Sequence, residues 1–166
     1  VPRLVLIRHA KSSWDDPRAE DHARVLNDRG REAAPRIGRW LAERGFVPDE
    51  VLCSDAVRTR ETWQLIAGEF EVAPEPKLLG GLYLAGRQKM LEVLRQATGE
   101  TVAMLGHNPG IGDFAGWMAA EAPAHPKFGS YPSAATAVLE FEEDWAEVRP
   151  GTGRVLDFVV PKDLAG

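Results

Sequence analysis

Short apolar runs alternate along this chain with stretches whose apolar residues recur at helical spacing. Leu4-Val5-Leu6-Ile7 is unbroken and stops at Arg8-His9. A strand buried on both faces of a parallel sheet has that pattern, apolar throughout and polar at its carboxyl end. It predicts a strand over residues 3–7. Asn27 or Asp28 then caps a helix with Ala33, Ile37, Trp40 and Leu41 as its core stripe and Gly45 as its left-handed stop. Pro35 must lie in the first turn of that helix or bend it. A second strand is predicted at 51–53, followed by a helix over 57–67 with Val57, Trp63, Ile66 and Ala67 as apolar points. A third strand falls at 77–79. Gly86 precedes a helix carrying Met90, Leu91, Leu94 and Ala97. The next apolar run, 101–105, ends at Gly106-His107. Pro109-Gly110 opens a helix with Ile111, Phe114, Ala115 and Met118, proline being comfortable in a first turn. Runs 135–141 and 155–160 read as two more strands with no helix between them, which predicts an antiparallel edge.

This alternation predicts a three-layer α/β sandwich: a mostly parallel, twisted sheet of about five or six strands with helices on both faces. The 166 residues suit a single domain over 1–166. Loops 15–21 and 121–132 are polar or proline-bearing, and loops of that length often wall a site.

Charge narrows the function. The net charge is −5, and the 20 cationic residues form no dense tract. Neither nucleic acid nor an anionic membrane is expected as a partner. An anion site must then be a local pocket. Cys53 is the single cysteine, so no internal disulfide can form, and a reducing, cytoplasmic setting is expected. No apolar run reaches the length of a membrane span.

Three predicted strand ends carry polar groups: Arg8-His9, Ser54 through Arg58, and Gly106-His107-Asn108. In an open α/β sheet such ends converge where ligands bind. His9 lies between Arg8 and Lys11, and cationic neighbours disfavour imidazolium. A neutral imidazole is a nucleophile, and guanidinium forks match phosphoryl oxygens. Arg58 falls in the first turn of its helix, where free N–H groups also favour anions. Cys53, at the end of an apolar strand, reads as a small buried hydrophobe rather than a catalytic thiol. His22 and His125 read as surface or wall residues, and Trp14 and Trp117 as packing residues.

Four segments in order resemble the histidine phosphatase superfamily, and within it the small SixA-type phosphohistidine phosphatases. They are Arg8-His9-Ala10-Lys11-Ser12-Ser13-Trp14; Arg24-Val25-Leu26-Asn27-Asp28-Arg29-Gly30; Cys53-Ser54-Asp55-Ala56-Val57-Arg58-Thr59-Arg60-Glu61-Thr62; and Leu105-Gly106-His107-Asn108-Pro109-Gly110. The resemblance implies a phosphoglycerate mutase-like fold and a phosphatase that needs no cofactor or metal. It assigns His9 as the nucleophile that becomes phosphorylated, Arg8 and Arg58 as ligands of the phosphoryl oxygens, and His107 as a donor to the phosphoryl group. Lys11 and Ser12 would line the entrance, Arg24 would stand near the pocket, and Asn108 would offer further donors. The implied reaction is a double displacement on a phosphohistidine-bearing protein or a small phosphorylated substrate.

One departure from the superfamily bears on the substrate. Many members carry a carboxylic acid after the second helix to protonate an alkoxide. Here no Asp or Glu lies between Lys77 and Met90. Alkoxides leave poorly unprotonated, water itself having a pKa near ~15.7, whereas imidazolium has a pKa of about 6.5. The missing acid favours a phosphoramidate, with Asp15, Asp16 and Glu75 as candidate substitutes. A phosphomonoester phosphatase and a non-catalytic phosphate-binding module remain as alternatives.

Overall fold

Successive residues of a strand face opposite sides of a sheet, and in this chain both sides are covered. In the computed structural model, which describes residues 1–164, Leu4 and Leu6 pack on one face and Val5 and Ile7 on the other. The final two residues of the single domain expected over 1–166 lie outside the described residues. Strand β1 (Arg3–Arg8) is central, and β2 (Glu50–Ser54), β3 (Lys77–Leu79) and β4 (Thr101–Gly106) run parallel with it in the order β3-β2-β4-β1. β5 (Thr136–Glu140) pairs antiparallel with β1, and β6 (Arg154–Val159) antiparallel with β5, forming the expected edge. In the β1–β4 register Arg8 stands beside Gly106, so His9 and His107 leave neighbouring strands at the same height.

Helices α1 (Asp28–Arg44) and α2 (Val57–Ala67) cover the Val5/Ile7 face through Ile37, Leu41, Trp63 and Ile66. Helices α3 (Arg87–Leu94) and α4 (Gly110–Met118) cover the Leu4/Leu6 face through Met90, Leu94, Phe114 and Met118. The result is the expected three-layer sandwich with a mostly parallel, six-stranded sheet.

The differences from expectation are local. Asn27 caps α1, its side-chain oxygen accepting from Gly30 N, and Gly45 ends the helix at φ 75°. Ala34 is buried, while Ala33 is only partly covered. Pro35 lies inside α1 rather than in its first turn. An interior proline costs about 3 kcal/mol, and the burial of Ala34, Ile37, Trp40 and Leu41 around it offsets that. Pro109 sits at the N-cap of α4, one residue before the first turn. Ala97 falls beyond the end of α3.

Two glycines bring the site's loops close. A Cβ on Gly30 would strike the carbonyl of Lys11, and one on Gly110 the carbonyl of Ala85. The segment after β1 is thus held against the entry to α1: Ser12 bridges Leu26, Ser13 N donates to Val25 O, and Asn27 N donates to Lys11 O.

Candidate active site

His9 is the first residue beyond β1, and its backbone is held on three sides. His9 N donates to Gly106 O, Ala134 N donates to His9 O, and Ala10 N donates to the Thr62 hydroxyl at 2.9 Å. The ring is placed as firmly. Nδ1 lies 2.7 Å from the Ala10 carbonyl. A carbonyl only accepts, so a neutral ring carries its proton on Nδ1 and presents the lone pair on Nε2. Burial, followed by the charges of Arg58, Arg8 and Arg24, holds the imidazole at about 4, against the raising effect of the Ala10 carbonyl. The expectation of a neutral ring agrees with this, with a different leading cause. Burial dominates, and the exposed Lys11 is not among the charges that matter.

His107 continues β4, and its ring centre lies 5.2 Å from that of His9. Nε2 is 2.8 Å from the hydroxyl of Ser54 at the end of β2, and Nδ1 is buried without a partner. Burial first, then the charges of His9 and Arg58, hold this ring at about 3. With Ser54 donating to Nε2, the Nδ1–H is the free donor.

The candidates Arg8, His9, Lys11, Ser12, Arg24, Arg58, His107 and Asn108 all line one pocket of about 320 Å³. Their engagements differ. Arg8 donates from Nη1 to Tyr131 O, and its Nε has no partner. Arg58, in the first turn of α2, donates from Nη1 to Asp21 O at 2.6 Å and from Nη2 to Asp21 Oδ2 at 3.0 Å, while its Nε is unpartnered. Arg24 is held by Asp21 and by the Ser12 hydroxyl, so Ser12 supports an arginine as well as lining the wall. Asn108 lines the pocket, yet its amide is already engaged: Nδ2 donates to the carbonyls of Ser130 and Tyr131, and Oδ1 accepts from Gly112 N. Its side chain ties the 130–131 turn to α4 rather than offering donors to a ligand. Lys11 is exposed at the mouth.

Three features escaped the sequence reading. The first is Asp21, in a short 3₁₀ turn (Asp21–Ala23), whose carboxylate joins Arg58, Arg24 and the Tyr83 hydroxyl. The Tyr83 hydroxyl, then Arg58 and Arg24, hold it at about 2 despite some burial. It is therefore ionised at neutral pH and serves as a buttress, not a proton donor. Asp15, Asp16 and Glu75 do not line the pocket, and among the described residues no carboxylate does. The second is Trp14. It is 75% exposed, with the Arg24 guanidinium 3.5 Å above its ring. The packing role expected for it is wrong: it stands at the pocket mouth, where only the flat face of an arginine covers it. Trp117, by contrast, packs against the core as expected. The third is backbone geometry. Leu84, Tyr131 and Ala134 are the non-glycine residues with positive φ among those described. Leu84 lines the pocket, Tyr131 O holds Arg8, and Ala134 N holds His9 O. Such conformations cost on the order of 1 kcal/mol each and collect at functional sites. The run Gly129-Ser130-Tyr131-Pro132-Ser133 signals a turn, but nothing in it singles out Tyr131 or Ala134 for positive φ.

Cys53 is fully buried, and burial pushes its thiol up to about 12, as a small core residue requires. His22 bonds Asp55 and packs against Tyr83, and His125 bonds Asp163; neither lines the pocket.

A central, mostly parallel sheet with two histidines at adjacent strand ends, beside Arg8, Arg24 and Arg58, has the architecture of a phosphoglycerate mutase-like fold. Comparison with known proteins makes the class specific. A family model for the histidine phosphatase superfamily (branch 1) matches residues 4–79. An uncharacterized protein of Mycobacterium tuberculosis is 32% identical over 163 residues, covering 94% of this chain and 100% of that protein. An uncharacterized chloroplastic protein of Arabidopsis thaliana is 48% identical over 60 residues, 36% of this chain and 28% of its own length. Among solved structures, SixA of Agrobacterium tumefaciens aligns at a TM-score of 0.80 and 27% identity, covering 97% of this chain and 99% of that one. Protein histidine phosphatase SixA complexed with tungstate aligns at 0.80 and 19%, covering 98% and 99%, a likeness of fold. This chain belongs to the histidine phosphatase superfamily. Its family and its SixA-like structure support a phosphatase. Among the described residues no helix is long and apolar enough to cross a membrane.

Proposed function

We propose that this protein hydrolyses phosphohistidine on another protein through a phospho-His9 intermediate. The observation that carries the reading is the pairing of a neutral His9, its proton held on Nδ1, with a pocket that no carboxylate lines among the described residues. The Nε2 lone pair attacks phosphorus in line. The substrate ring takes a proton from water on its unphosphorylated nitrogen, and as the P–N bond breaks the electron pair returns to that ring, which departs as neutral imidazole. Imidazole leaves without an enzymic acid because its conjugate acid has a pKa of about 6.5. Water then attacks the phosphorus of phospho-His9, the P–Nε2 bond breaks, and inorganic phosphate departs with His9 restored. Arg8, Arg58 and the Nδ1–H of His107 stabilise the phosphoryl oxygens in both steps. A protein substrate is favoured by Trp14 and Leu84 at the mouth, 75% and 56% exposed, which give a macromolecule apolar surface to rest on. The Agrobacterium SixA is itself described as a candidate phosphohistidine phosphatase.

The test is parallel turnover of free phosphohistidine and an alkyl phosphomonoester, with His9→Ala as control. Strong preference for the phosphoramidate, lost in the variant, is expected. Preference for the alkyl ester would overturn the reading, because it would require an acid that this pocket lacks. Phosphate binding without turnover of either substrate would make the protein a binding module.

A further inference from the structure

A second cavity adjoins the pocket. This groove of about 470 Å³ shares Lys11 and Ser133 with the site and runs between one flank of α1 and the chain leaving β6. Five cationic side chains line it: Lys11, Arg29, Arg36, Lys127 and Lys162. The acid among its lining residues is Glu32. Among the described residues none of the five has a carboxylate within 4.0 Å.

Elsewhere pairing is the commoner state: among the described residues ten of the fifteen other cationic side chains meet a carboxylate, and Arg8, Arg18, Arg60, Arg87 and Arg95 do not. Arg3 and Arg154 pair with Glu140, Arg39 with Glu69, Arg44 with Asp157 and Arg149 with Glu143. Apart from Glu32, acids close in sequence to the groove are turned to other partners. Asp28 bonds Arg31, and Asp163 bonds His125 and the Val160 amide. A chain of net charge −5 thus gathers five unpaired cations along one groove beside its site. Like charges so placed repel one another and add nothing to folding. They make physical sense against a ligand of opposite sign. The floor between them is apolar, formed by Pro132, Val160 and Pro161. An apolar floor suits side chains rather than a second phosphate group. Nucleic acid would need a longer basic track than a net-acidic domain offers.

We infer that this groove docks an acidic, partly apolar segment flanking the phosphohistidine of the substrate protein. The inference rests on the phosphohistidine reading above and extends it from the reacting group to its carrier. Lys11, common to both cavities, marks where the segment passes into the pocket.

The test uses three probes. Two are chemically phosphorylated peptides with the same apolar residues, one with Asp and Glu around the phosphohistidine and one with Asn and Gln. The third is free phosphohistidine. The acidic peptide should be preferred about tenfold in kcat/KM at ~50 mM salt, chiefly through KM, with the preference fading near ~500 mM. In Arg29→Glu/Arg36→Glu/Lys127→Glu the preference should vanish while turnover of free phosphohistidine is retained, which also certifies the fold. The milder triple Gln variant should fall between. Equal turnover of both peptides by the wild type, or a preference that survives in the Glu variant, would overturn the inference and leave the phosphohistidine reading standing. Failure to hydrolyse any phosphoramidate would overturn both. If a sugar bisphosphate loses turnover in the Glu variant while the peptides do not, the groove is a second-phosphate subsite and the docking inference falls.

Discussion

Strand β2 begins and ends on a buried polar residue, and its two ends follow opposite rules. At the start, Glu50 is 6% exposed and fully engaged. Its Oε1 accepts from Thr98 N at 2.8 Å and Gly99 N at 2.7 Å, and its Oε2 accepts from Lys77 Nζ at 2.6 Å. Burial pushes this carboxyl up, but Lys77 and the two amides outweigh it and hold the group below its ordinary range. At the other end, Ser54 reaches His107, and there the bonding stops short. Among the described residues the buried side-chain nitrogens without a partner are Arg8 Nε, Arg58 Nε and His107 Nδ1, all on residues that line the pocket. A buried donor left unpaired costs about 1–3 kcal/mol. The contrast teaches that burial of a polar group does not by itself mark a site. Satisfied, as at Glu50, it ties elements together. Unsatisfied, as at His107, it leaves a polar atom open toward the pocket, as the proposed phosphoryl site requires.

The sharpest way to break this comparison is to exchange its consequences. His9→Ala should lower turnover by roughly 10⁴-fold or more, as loss of a nucleophile does, while cooperative unfolding is retained. Glu50→Gln should leave turnover within about twofold and lower stability in urea by about 1–3 kcal/mol. If Glu50→Gln abolished turnover without loss of stability, the two ends would not differ as argued.

Acid separates the pocket from the Glu50 end by window. An unfolded histidine titrates at 6.5 and folded His9 at about 4, so between these values the unfolded chain binds more protons. Stability from this group is full above pH 6.5, falls as pH drops, and levels below 4, a loss on the order of 3 kcal/mol. Glu50 has a folded pKa below its ordinary 4.5, so its contribution is full above 4.5 and is lost as pH falls through the lower folded value. His9→Ala should reduce the stability slope between pH 6.5 and 4, with His107 supplying what remains, and Glu50→Gln should reduce the slope below 4.5, read by denaturant titration across pH.

Two smaller effects sharpen the picture. Ser54→Ala removes the hydrogen-bond partner of the His107 ring. It should lower kcat about tenfold with KM held, the worth of one hydrogen bond, and shift the imidazole ¹⁵N resonances of His107. Unchanged ¹⁵N resonances would release Ser54 from that role. Inorganic phosphate at about ten times its Kd should raise the wild-type Tm by about 3 °C. In Arg58→Gln that rise should disappear.

Much of the site was legible because strand ends are legible. The run from Leu4 to Ile7 had to be buried, so the polar residues after it had to stand at an edge, and the same logic placed Ser54 and His107. Asp21 was not legible. It lies in a polar loop among other acids, and only the approach of Arg58, 37 residues away, and Tyr83, 62 away, distinguishes it from Asp15 or Asp16. Trp14 misled for a related reason. A lone tryptophan is ordinarily packed, and its exposure depends on a loop path that no period describes.

By itself the sequence determined the layered fold and the residue types at each strand end, because burial on both sheet faces imposes local periods that can be read along the chain. The tertiary structure alone decided which polar atoms are satisfied and which are left open. A hydrogen bond such as that of His107 to Ser54 joins residues 53 apart, and the five unpaired cations of the groove come from α1, the loop after β1, the 121–132 loop and the chain beyond β6. Pairing of that kind depends on distances across the folded molecule, which no local pattern encodes.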